Sequence, residues 1–97
     1  MPDIVKLRYY ISKIVECSPD EASVPPSLRN IKDKSDNSVI TAAVGMVAMS
    51  SRNPTIQERL SISLASNLSF EDAVIDVLQY IVEAINFAKE NEKNVSD

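Results

Sequence analysis

Ninety-seven residues suit one domain, and such a chain buries about 60–65% of the surface it exposes when unfolded. With no His, one Cys and one Gly, a His-based triad, a thiolate metal centre, a Walker loop and a dinucleotide fingerprint are all excluded. Net charge is −4, which repels phosphate backbones and argues against autonomous nucleic-acid binding.

The first predicted helix runs from Pro2 to Cys17, with Pro2 in the first turn where its missing N–H costs nothing. Ile4, Leu7, Ile11 and Ile14 recur at intervals of three and four, the seam spacing of paired helices. Val5, Tyr10 and Val15 widen that stripe, and Ser18-Pro19 ends it. Lys6, Arg8 and Lys13 form a basic cluster beside Tyr9 and Tyr10, expected to be a solvated face. Cys17 is alone and has no activating His, so a packed or half-buried, unreactive thiol is expected. A single cysteine favours a reducing, cytoplasmic setting. The first eight residues contain no continuous apolar region, so no secretory signal is expected.

Residues 18–37 read as a linker, because Pro19, Pro25 and Pro26 forbid a continuous helix. Its composition predicts mobility, although Ser27 to Lys34 can form a short helical turn that brings Leu28 and Ile31 to the core.

A second helix starts at a cap on Asp36 or Ser38 and continues to about Met49. It has apolar atoms on every side. Gly45 and the alanines allow close helix approach, and Met46 and Met49 are expected to be adaptable core packers. Val39 to Met49 is the longest apolar run and is too short to span a bilayer.

Ser50 to Asn53 is a turn. The third helix has two candidate starts: Asn53 capping with Pro54 at the first helical position, or Thr55 capping with Glu58 closing a box. Ile56, Leu60, Leu64 and Leu68 recur every fourth residue. Leu60, Ile62 and Leu64 also alternate with serines as a strand would, but the caps and the absence of hairpin turns favour helix.

Ser69 caps the fourth helix, Phe70 to Glu90, with Asp72 three residues on as a box partner. Asp72, Asp76, Gln79, Glu83, Asn86 and Glu90 follow spacings of three or four and line one wet face. Nearly everything else on this helix is apolar, which asks for burial around most of its circumference. Residues 91–97 are polar and expected to fray.

These elements predict an all-α fold of three to four helices. It is a small antiparallel bundle with residues 1–17 as an N-terminal helix and 38–90 as the compact domain, completed by dimerisation. Val44, Val47, Val74, Leu78, Ile81 and Ile85 are the expected oligomer interface. Asp72, Asp76, Glu83 and Glu90 are the expected partner-facing acidic stripe. Asp72 and Asp76, at i and i+4, could share a cation or a proton in a carboxylate-only enzyme, but a solvated face is the expected state. No catalytic residue, cofactor or metal ligand is predicted.

The stretch from Val39 to Phe87 resembles a small enterobacterial family of helical regulators, the biofilm and acid-resistance connector proteins of the two-component Rcs-type phosphorelay. Its helix V-I-T-A-A-V-G-M-V-A-M from Val39, the small-polar turn Ser50 to Asn53, the helix E-R-L-S-I-S-L-A-S-N-L from Glu58 and a closing apolar helix follow that family's order. Ser69 stands where the family has Glu, and Ser51 and Thr41 where it often has Gly. The resemblance covers about half the chain and implies a homodimeric helical protein that binds regulators rather than catalysing a reaction. Some members are described as touching DNA, which the acidic charge of this chain opposes.

The function expected from these features is that of a non-enzymatic regulatory or adaptor protein. Its expected partners are a second copy of itself and a regulatory protein, with no membrane contact. The alternative is a small acidic inhibitor or immunity-type protein that binds a basic partner.

Overall fold

The computed structural model describes residues 3–17, 20, 22 and 24–95, with side chains to residue 91. Among them are four α-helices: α1 (Ile4–Glu16), α2 (Asp36–Ser50), α3 (Pro54–Ala65) and α4 (Phe70–Val95). Two short 3-10 turns, Pro26–Leu28 and Ile31–Asp33, lie between α1 and α2. No strand occurs among the described residues, so Leu60, Ile62 and Leu64 are helical despite their alternation.

Local chemistry sets the helix ends. Asp3 caps α1 by accepting from the Lys6 N–H. The start of α2 differs from both candidates: Ser35 is the cap, and its hydroxyl oxygen accepts from the Ser38 N–H. Asp36 becomes the first helical residue, where its charge complements the helix dipole. Of the two starts open to α3, Asn53 with Pro54 is the one adopted. Ser69 accepts from the Asp72 N–H at the head of α4. Residues 91–95, expected to fray, continue α4 to Val95.

The α4 helix is the hub, touching α1, α2 and α3. The core joins Leu7 and Ile11 of α1, Ile31 of the second turn, Val39, Ala43 and Val47 of α2, and Val74, Val77 and Leu78 of α4. Each fully buried Leu, Ile or Val side chain contributes about 1.5–3 kcal/mol. This corrects the expected domain plan. The compact body is not confined to 38–90, because α1 lies across α2 and α4 and covers apolar faces that the sequence left uncovered.

The 18–37 segment is also more than a linker. Val24 and Ile31 are buried, and Leu28 packs against the core. Arg8 of α1 reaches across to this segment. Its Nη1 donates to the Ile31 carbonyl at 2.7 Å and to the Lys32 carbonyl at 3.2 Å. Its Nη2 pairs with Asp36 at 2.9 Å. The segment ties itself as well: Arg29 donates to the Val24 and Ala22 carbonyls, and Lys34 to the Pro26 carbonyl. Arg8 is therefore not a solvated member of a basic cluster but a strap across α1, the connection and α2.

Candidate interaction surfaces

The α3–α4 hairpin is held by a polar lock. Arg59 presents Nε and Nη2 to the two carboxylate oxygens of Asp76, each at 3.1 Å. The Ser63 hydroxyl, the one buried polar side chain among the described residues, donates its single proton to the same carboxylate, with the Arg59 carbonyl as the competing acceptor within reach. The Arg59 guanidinium lies 5.4 Å from the centre of the Tyr80 ring. Hydrogen bonds from Arg59 and then Ser63 hold the Asp76 carboxyl below its ordinary range, against the smaller opposing effect of burial. The same contact with Asp76 raises the Arg59 guanidinium.

This lock interrupts the acidic stripe. Asp72, Glu83 and Glu90 are exposed, but Asp76 is half-buried with both oxygens engaged. It is therefore neither a free partner-facing charge nor a second ligand for a cation shared with Asp72. Glu83 accepts from Gln79 one turn earlier at 3.1 Å.

The expected oligomer interface also needs correction. Val47, Val74 and Leu78 are 3%, 2% and 0% exposed, sealed in the molecule's own core. They cannot meet a second molecule without opening the fold. Val44 and Ile81 are half-buried against the core, and Ile85 is half-buried one turn beyond Ile81.

The apolar surface that does remain open lies elsewhere. On α2, Thr41, Gly45, Ala48 and Met49 form the face opposite buried Val39, Ala43 and Val47. Together with Pro25, Leu28 and Met46 they line a shallow groove of about 660 Å³. Met49 is 69% exposed, so it does not pack in the core as expected. Gly45 is exposed too: a Cβ added there would meet no atom within 4 Å. The close approach that this glycine allows is not used inside the molecule. A second group of exposed apolar side chains, Ile62, Leu64, Leu68 and Phe70, surrounds the α3–α4 connection.

The remaining sequence candidates disperse. Lys13 pairs with Glu16 at 3.6 Å and lies over the Tyr9 ring, so Lys6, Arg8 and Lys13 form no joint basic surface. Cys17 is exposed rather than packed, and its thiol donates to the Lys13 carbonyl. Among the described residues no group of three His, Cys, Asp or Glu is placed to hold a metal ion, and no helix is long and apolar enough to cross a membrane. The open α2 face was foreshadowed by its apolar circumference. Nothing in the local sequence marked Arg59 as the partner of Asp76, seventeen positions away. Comparison of the chain with protein-family models, curated proteins and solved structures finds no match.

Proposed function

We propose that this chain is a non-enzymatic adaptor or regulatory protein that acts as a homodimer through helix-mediated contacts. The open face of α2 carries this reading. A helix without charged residues after Asp36 is buried on one side by α1 and α4 and leaves its other side to solvent. Contiguous open apolar surface on a small folded chain marks interaction sites. The exposed side chains at the α3–α4 connection supply a second apolar surface, available to a different protein when the first is occupied.

An acidic inhibitor is less well supported. Arg59 neutralises the centre of the stripe, leaving Asp72, Glu83 and Glu90 as separated surface charges. Light scattering of the full chain at micromolar concentration tests the proposal. A dimer mass that persists in high salt is expected, since apolar contacts are not screened. A monodisperse monomer that binds no hydrophobe-sensing dye would overturn it.

A further inference from the structure

We propose that the occupant of the α2 groove is a second copy of this chain, with α2 crossing its symmetry mate about a two-fold axis near Gly45. This rests on the self-association proposed above and assigns its surface and geometry. The first argument is electrostatic. A two-fold contact lays a patch on an identical patch, so any net charge in it meets itself. The exposed face of α4 carries Glu83 and Glu90. The apolar patch around Phe70 is flanked by Glu71 and Asp72. The outer face of α1, with Tyr9, carries Lys6, Lys13 and Glu16. Each of these faces brings formal charges into a self-contact. From Asn37 to Ser50 the α2 helix has no charge, and Lys34, the one charged side chain lining its groove, is tied to the Pro26 carbonyl.

The second argument is steric. Glycine within a helix costs about 0.5–1 kcal/mol relative to alanine, and nothing inside this molecule requires it at position 45. Small residues at a crossing let two backbones approach more closely than the usual 8–10 Å between helix axes. Thr41 and Ala48 flank Gly45 on the same face and keep the approach open over two turns. With antiparallel helices crossing at Gly45, Arg52 would lie opposite Ser38 across the axis and not opposite another cation. One helix face and its groove wall sit at the low end of interface sizes, so association in about the micromolar range is expected.

The structure also supplies a clean test, because Gly45 is open and faces away from the core. Gly45→Glu should leave the monomer fold intact while setting two carboxylates against each other at the axis. Sedimentation velocity of the full chain across a concentration series should show wild-type dimers, with dimerisation at least about tenfold weaker for Gly45→Glu and helical circular dichroism retained. Gly45→Cys in a Cys17→Ser background gives the second readout. Two such cysteines fall within the roughly 7 Å Cα separation that a disulfide requires. They should cross-link on mild oxidation far faster than Phe87→Cys in the same background. A wild type that stays monomeric would overturn both the self-association and this interface. A Gly45→Glu protein that dimerises as tightly as wild type, or cross-linking no faster at position 45 than at 87, would overturn the α2 interface alone.

Discussion

Arg59 and Asp76 meet fork to fork across the α3–α4 hairpin, one nitrogen on each carboxylate oxygen at 3.1 Å. This bidentate geometry makes the pair stronger than a single surface contact. It adds a polar anchor to the packing of Ile56 and Leu60 against the core. Ser63 is the only fully buried residue of α3, while Ile56 and Leu60 are half-buried.

The pair makes stability depend on acid in a defined direction. The folded Asp76 carboxyl lies below its ordinary value of 3.8, so its contribution is complete above that value. The contribution falls away as pH drops toward the lowered folded value. Urea midpoints of wild type and Asp76→Asn should differ by a constant amount from neutral pH to about pH 5 and converge below about pH 4. An unchanging gap down to pH 2.5 would contradict this assignment.

Coupling between the two groups should appear in a double-mutant cycle. Arg59→Ala and Asp76→Ala should each destabilise, and the double substitution should cost clearly less than their sum. Additive effects on the denaturation midpoint would mean that the pair contributes no interaction of its own.

Arg8→Ala should cost about 1–3 kcal/mol, since the carbonyl of buried Ile31 loses its charged donor. Asp36→Ala should cost less, about 0–1 kcal/mol, because that carboxylate is 70% exposed. Chemical denaturation monitored by circular dichroism distinguishes the two, and a larger loss for Asp36→Ala would reverse the account of the strap.

Packing should separate α4 by face. Leu78→Ala should destabilise by about 2–5 kcal/mol. Glu83→Ala should stay within about 0.5 kcal/mol. Equal shifts in the urea midpoint would contradict this division between a buried and a wet face of α4.

Asn67 has a left-handed backbone with φ of 65° just past the end of α3. Asn67→Gly should therefore be neutral or slightly stabilising, and Asn67→Val should lower the thermal midpoint. A valine variant as stable as wild type would show that the connection relaxes into another conformation.

Much of the helical plan was legible because caps and breakers act locally. Asn53 with Pro54 and Ser69 before Phe70 announce their helices within a few residues. Ile31 also reaches the core as its place in the proline-broken segment suggested. Tertiary assignments were harder to read. An apolar helix states how much surface it needs to cover but not which neighbour covers it. Hence the sequence pattern points Val47, Val74 and Leu78 toward a second molecule, whereas they lie buried in the molecule's own core. Asp76 illustrates the same limit for charge. Its spacing puts it in a wet stripe, and only the packing of α3 brings Arg59 and Ser63 to it.

The length of α4 has a dynamic consequence. At about 1.5 Å per residue, its 26 residues extend roughly 39 Å, in a molecule whose longest dimension is 45 Å. Its buried side chains run from Ala73 to Val82, whereas Ala84, Asn86, Phe87 and Ala88 are all exposed. One continuous ladder of backbone hydrogen bonds therefore passes from a packed to an unpacked environment. Amide protons from Ala73 to Val82 should exchange with solvent only through large-scale opening, and those beyond Phe87 through cheap local unwinding. Such a gradient gives one helix both a rigid root and a tip that can exchange and unwind independently of the core.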